Sequence, residues 1–89
     1  MMNKDLIIIA NYYGLHKQFR QTVEEMAELT QVICKAERYD LDTVRDHLVE
    51  EVADVSIMID QIVYLLGDNM IAKIREEKIK RQLERIENE

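Results

Sequence analysis

Residues 19–33 read Phe19-Arg20-Gln21-Thr22-Val23-Glu24-Glu25-Met26-Ala27-Glu28-Leu29-Thr30-Gln31-Val32-Ile33. Apolar side chains recur every three to four positions, the period of an amphipathic helix rather than of a strand. Widening the window places Leu15, Phe19, Val23, Met26, Leu29, Ile33 and Ala36 on one broad arc, with Val32 near its edge, because helical residues advance by about 100° each. Glu24, Gln31, Lys35 and Arg38 fall on the opposite side, as charged and polar residues of a surface helix do. Glu25 projects inside the apolar arc. Glu28 lies just beyond Val32.

The rest of the chain divides around this helix. It has no proline and two glycines, and it is rich in Glu, Lys, Leu, Ile, Ala and Met, so helix is favoured throughout. Asn3 is placed to cap a first helix that runs to about Tyr13, and Gly14 offers a break. The second helix extends from about Leu15 to Tyr39. Asp40-Leu41-Asp42-Thr43 supplies turn and cap residues for a third helix from about Thr43 to Leu66. Gly67-Asp68-Asn69 closes that helix, and a fourth starts near Met70 and frays among the last charged residues. Short connections make sequence neighbours antiparallel. The expected architecture is therefore all-α, a single four-helix bundle-like domain over residues 1–89.

On the third helix Val44, Leu48, Val55, Met58, Ile62, Leu65 and Leu66 define the core face. Glu51 lies among them, between Met58 and Ile62 in projection, and Asp54 flanks the same face. Asp46, Glu50 and Asp60 point elsewhere. Glu25/Glu28 and Glu51/Asp54 each have i, i+3 spacing, so each pair occupies one face. Packing the two helices by their apolar faces brings four carboxylates together. One Glu-x-x-Glu is common on a solvated helix. Two pairs that both interrupt an apolar pattern are not. Four unpaired carboxylates in a helix interface repel and resist desolvation, so they take up protons or bind a hard cation. An all-oxygen donor set suits Mg²⁺ or Mn²⁺ and argues against zinc.

Size and charge narrow the function further. An 89-residue chain buries little surface alone, and oligomerisation is one remedy. The single cysteine, Cys34, permits no intrachain disulfide and suggests a reducing, cytoplasmic setting, where it would pack as a small apolar residue. Met1 and Met2 lead into Asn3-Lys4-Asp5, which is neither signal nor transit peptide. The longest apolar run, Leu6 to Ala10, cannot span a membrane. A net charge of −6 argues against nucleic acid as partner. Residues 70–89 hold six basic and five acidic residues and are thus +1, which leaves −7 for residues 1–69. A phosphorylated ligand in the acidic part needs a cation to offset that charge.

Glu24-Glu25-Met26-Ala27-Glu28-Leu29 followed by Glu51-Val52-Ala53-Asp54 resembles the paired motif of the MazG-like all-α nucleoside triphosphate pyrophosphohydrolases: Glu-Glu-x-x-Glu, a gap, then Glu-x-x-Asp. The gap of 22 residues between Glu28 and Glu51 suits short-loop members, and the resemblance spans roughly Gly14 to Arg85. It implies Mg²⁺-dependent cleavage of a (deoxy)nucleoside triphosphate between the α and β phosphates, giving a monophosphate and pyrophosphate. It implies Mg²⁺, with Mn²⁺ as a substitute, on Glu25, Glu28, Glu51 and Asp54. Glu24 and Glu28 are the candidates for accepting the proton of the attacking water. A homodimer or homotetramer with sites near subunit interfaces, and a house-cleaning role on surplus or noncanonical nucleotides, are further implications. Phosphoribosyl-ATP pyrophosphatase is a relative of similar length, although Ser56-Ile57-Met58-Ile59-Asp60-Gln61 fits the MazG-like side better. A non-enzymatic helical interaction or regulatory module that retains the motif is the alternative from another class.

Lys35 matches a lysine often found after the first motif, and Lys78 and Arg81 match a basic C-terminal helix that reaches over the site. These three and His47, one turn before Glu51, are the candidate substrate-binding residues. His16 and Gln18 occupy positions that contact the base in related proteins. Phe19, Tyr12, Tyr13 and Tyr64 are available to stack on a base or to pack in a core or interface. There is no nucleophile triad and no Gly-rich phosphate loop.

Overall fold

The chain turns where breaks are expected. A computed structural model describes residues 3–89, which are helical apart from the connections: α1 (Lys4–Tyr13), α2 (Leu15–Arg38), α3 (Leu41–Leu66) and α4 (Met70–Glu87). Met1 and Met2, on which the leader-peptide reading partly rests, lie outside the described residues. No described helix is long and apolar enough to cross a membrane. Asn3 caps α1 by accepting the Asp5 N–H at 2.8 Å. Asp40 does the same for Asp42 at 3.2 Å, so α3 begins at Leu41 rather than Thr43. Gly67 ends α3 at φ 61°, the left-handed position that favours glycine. Helix α4 runs from Met70 to Glu87, past most of the charged residues among which its end is expected.

Cross-contacts fix the arrangement of α2 and α3. Gln18 meets Gln61, and ten residues further along α2 Glu28 meets Glu51, ten residues back along α3. The two helices are therefore antiparallel and in register. The residues buried or half-buried along α2 are Leu15, Gln18, Thr22, Glu25, Leu29, Val32 and Ala36, and those along α3 include Val44, Leu48, Glu51, Val55, Met58, Gln61 and Ile62. The α2 set, and the α3 set as far as Met58, alternate steps of three and four, the spacing of a coiled-coil seam. α1 packs chiefly on α3, and Asn11 and the Tyr64 hydroxyl exchange hydrogen bonds at 3.0 and 3.1 Å.

This seam departs from the expected core in one respect. On α2 the packed stripe is rotated toward Val32, by somewhat less than the ~100° of one residue. Val32, expected at the edge, is 2 % exposed, whereas Phe19, Val23, Met26 and Ile33 of the expected arc are 40–67 % exposed. Cys34 and Leu66, both expected inside, are exposed too. The seam is narrow because α2 meets one neighbour along most of its length. Among the described residues, the wider apolar arc has no second layer.

The four helices are consistent with the expected all-α bundle, with α4 standing apart from the other three. α4 has no buried residue and makes at most a marginal contact with the other helices. The radius of gyration is 16.0 Å, against about 12 Å for a compact chain of this length. The accessible surface is 7582 Å², against about 5,500 Å² for a compact monomer of this mass.

Gly14 joins α1 to α2 at φ 84°, ψ 168°, a conformation open essentially to glycine alone. A Cβ there would meet no atom within 4 Å, so backbone strain is the whole penalty. Gly14→Ala is expected to lower stability by about 1–3 kcal/mol, measured by urea unfolding at fixed protein concentration, with helix content unchanged.

Candidate metal centre

The α2–α3 seam is apolar at Leu29, Val32, Leu48, Val55 and Met58, yet it holds carboxylates at its middle. Glu51 is 7 % exposed and Glu25 half-buried. Each has one oxygen engaged by the residue one turn earlier on its own helix. Gln21 Nε2 donates to Glu25 Oε1 at 2.9 Å, and His47 Nε2 lies 3.3 Å from Glu51 Oε1. The second oxygen of each, Oε2, is buried with no hydrogen-bond partner. Glu28 reaches in from the solvent side, and one oxygen from each of Glu25, Glu28 and Glu51 lies within 4.8 Å of the others.

Two ionised carboxylates at that separation repel by about 3 kcal/mol at an effective dielectric of about 20, less where solvent reaches Glu28. A buried acceptor without a donor adds a desolvation penalty of about 1–3 kcal/mol, more when charged. A cation among the three removes both costs. The donor set tests which cation fits: three carboxylate oxygens on two rigid helices suit a hard divalent ion such as Mg²⁺ or Mn²⁺ and leave ligand positions for water or phosphate oxygens.

The cluster opens onto a pocket of about 330 Å³ lined by Glu28, Gln31, Val32, Lys35, His47 and Glu51. That is at the small end of ligand pockets, which run to roughly 300–1,000 Å³. Its lining combines two carboxylates with Lys35 and with His47, which itself lies against Glu51, so the pocket offers groups for both a cation and an anion.

The expected site residues separate into two groups. Glu25, Glu28 and Glu51 converge, and Lys35 and His47 join them at the pocket. Asp54 is exposed and not one of the three clustered carboxylates, and Glu24 is exposed and lines neither cluster nor pocket. Lys78 and Arg81 ride on α4 and line neither the cluster nor the pocket. Gln18, expected near a base, is buried against Gln61, and His16 is exposed with its ring edge-on to Phe19. Tyr12 and Tyr13 are exposed and edge-to-face, and Tyr64 is tied to Asn11.

Gln31 and Gln21 escape a reading based on apolar arcs. Gln31 and Lys35 project to the far side of the broad arc, yet rotation of the packed stripe toward Val32 carries them to the pocket rim. A signal for Gln21 exists in the spacing: Gln21/Glu25 repeats the i, i+4 relation of His47/Glu51.

Glu51→Gln keeps the side-chain shape and removes the most buried charge. It is expected to weaken Mn²⁺ binding at least about 100-fold, since even residues that only orient ligands contribute 10–100-fold. The metal-free protein should unfold at the same temperature as the parent or higher. Thermal unfolding with and without Mn²⁺ checks both, and a parent that Mn²⁺ does not stabilise counts against the site. Compared with family models, with curated proteins and with solved structures, the chain matches none, so function is read from these side chains and their spacing.

Proposed function

We propose that this chain is an all-α, MazG-like nucleoside triphosphate pyrophosphohydrolase, dependent on Mg²⁺ (or Mn²⁺), that cleaves (d)NTP between the α and β phosphates to (d)NMP and pyrophosphate. The observation that carries the reading is a buried, unpartnered oxygen on each of Glu25 and Glu51, two residues that cluster with Glu28 beside a pocket whose lining includes Lys35 and His47. The ordered motif, Glu24-Glu25-x-x-Glu28 then Glu51-x-x-Asp54, supports it independently. Removal of surplus or noncanonical nucleotides in the cytoplasm is the role consistent with that chemistry.

Glu25, Glu28 and Glu51 would hold the ion, and Asp54 would complete the set from its exposed position. When bound, a divalent cation offsets charge on the phosphate oxygens and lowers the pKa of a bound water. Gln21 and His47 each hold one oxygen of a ligand residue and so aim the other. Glu28, the most solvent-accessible of the three, and Glu24 are the residues to accept a proton from the attacking water. Lys35 and His47 face the pocket, where they can meet the phosphates that leave as pyrophosphate.

A homodimer or homotetramer accounts for the open shape. The surface in excess of a compact monomer is about 2,000 Å², more than the roughly 800 Å² that each partner gives to a standard interface. The exposed part of the α2 arc and the apolar residues of α4 are the surfaces for it. They also favour the second reading, a non-enzymatic helical interaction module, which keeps the apolar surfaces and has no turnover.

A panel of (deoxy)nucleoside triphosphates with phosphoribosyl-ATP, scored for pyrophosphate, separates these readings. Turnover is expected with Mg²⁺, abolished by chelation, and reduced at least about 100-fold by Glu51→Gln. No pyrophosphate from any member, with thermal stability indifferent to Mg²⁺, would leave only the interaction module. Release from phosphoribosyl-ATP alone would move the enzyme to the neighbouring class. Sedimentation should give two or four times the 10.6 kDa chain mass, and Val23→Glu, at a 67 % exposed position, should lower it.

A further inference from the structure

Gln18 and Gln61 are 5 % and 2 % exposed, among the most buried residues of the chain, and neither belongs to the carboxylate cluster. Gln18 Nε2 donates to Gln61 Oε1 at 2.7 Å, the one side-chain hydrogen bond between α2 and α3 among the described residues. Gln61 Nε2 turns toward Met58 Sδ at 3.9 Å, a weak acceptor. Thr22, the next seam position after Gln18, donates its hydroxyl to the Gln18 carbonyl at 2.6 Å, so this end of the seam is polar where apolar packing would otherwise fill it.

The position of this pair gives it a task. The carboxylates lie between two fastenings of the same helices. On one side is the two-residue link, Tyr39–Asp40, between α2 and α3. On the other, ten residues from Glu28 along α2 and ten from Glu51 along α3, is the amide pair. Between them, like charges within 4.8 Å push the helices apart. Apolar contacts at Leu29, Val32, Val55 and Met58 resist separation, but they are non-directional and tolerate small rotations and slides. An amide–amide bond at 2.7 Å does not. A shift by one helical turn is about 5.4 Å, which exceeds the whole spread of the three ligand oxygens.

We propose that Gln18 and Gln61 form a clamp that preorganises the carboxylate site, holding α2 directly to α3 at the end that α1 also spans, so that Glu25, Glu28 and Glu51 keep one spacing before an ion arrives. This rests on reading those three as a cation site, which stands on the buried, unpartnered Glu51 oxygen as well as on the cluster itself. The two glutamines are positioning residues. They touch neither ion nor substrate.

Gln18→Met/Gln61→Met keeps side-chain length and removes the hydrogen bond. In a Cys34→Ser background with spin labels at Arg20→Cys and Asp60→Cys, doubly labelled chains diluted into unlabelled protein report the helix spacing by pulsed dipolar spectroscopy. The parent should give one narrow distance without metal. The Met/Met variant should give a broader or longer one that Mg²⁺ narrows again, with Mn²⁺ affinity 10–100-fold lower in calorimetry and a melting temperature no lower than the parent's. An unchanged narrow distance in metal-free Met/Met overturns the clamp, as does parental Mn²⁺ affinity in a variant whose spacing has widened. If the parent binds no Mn²⁺, the cation reading has failed, and the distance measurement alone then decides whether the pair sets the carboxylate spacing. Should Met/Met not fold cooperatively, Gln18→Met alone, which removes only the donor, is measured in the same way.

Discussion

Charge buried between two helices is the constraint from which the other features follow. α2 and α3 could have closed on apolar side chains at every seam position. Instead the middle of the seam carries Glu25 and Glu51, each with one oxygen out of water and without a donor. Such an arrangement opposes folding unless something compensates it. Each inward carboxylate has a neighbour one turn earlier that holds its other oxygen, and the helices are fastened on both sides of the cluster. The fold restrains these charges in position rather than neutralising them with a lysine or arginine. An internal cation would neutralise them for stability's sake alone. Leaving one oxygen of each without a donor is what a site for an added cation would require.

The same economy explains the shape of the chain. Among the described residues, Ala10, Val32 and Met58 are the only apolar residues that are fully buried. A seam two helices wide cannot exclude water from both sides of a helix. The apolar surface left on α2 and the apolar positions of the detached α4, such as Ile79 and Leu83, remain outside. Subunit association would supply the missing layer, and it would also decide where Lys78 and Arg81 lie relative to a carboxylate cluster. Stability and site completion would then depend on the same contacts, so agents that dissociate subunits would affect turnover before they affect helix content.

Much of this was legible in the residues, for identifiable reasons. The all-helical class, the three breaks and the inward position of Glu51 follow from composition, glycine placement and the 3.6-residue period. The caps at Asn3 and Asp40 sit where short polar side chains precede apolar periodicity. The rotational phase of α2 was not legible. Its apolar residues cover an arc wider than the seam, and the side facing α3 is chosen by partners that a single-helix projection omits. Val32 and Leu29 are buried or half-buried, whereas Phe19 and Val23 are exposed. The error carries over to the site, because Gln31 and Lys35 become pocket residues only after that rotation. Asp54 illustrates the opposite limit. Its spacing from Glu51 puts it beside the same face of α3, where it is exposed and outside the cluster of three, and spacing alone does not say whether a carboxylate at the seam's edge turns inward.

A buried polar pair usually reads as a defect in a hydrophobic core, tolerated because its members satisfy each other. Gln18 and Gln61 invite a different account, because replacing both by apolar residues would be expected to leave stability unchanged or raise it. Their presence then needs a reason other than stability, and geometry supplies one. A metal site fails if its ligands are displaced by an ångström or two, while a core tolerates such movement. Directional bonds are therefore most useful near a site whose ligands repel one another and least useful far from it. In α2 and α3 the polar seam positions Gln18, Thr22, Glu25, Glu51 and Gln61 fall between the α1 end of the pair and its middle. The stretch from Leu29 to Ala36, closed by the turn, is apolar on its buried face. The covalent turn sets the spacing at one end, and hydrogen bonding is concentrated where the turn has the least leverage.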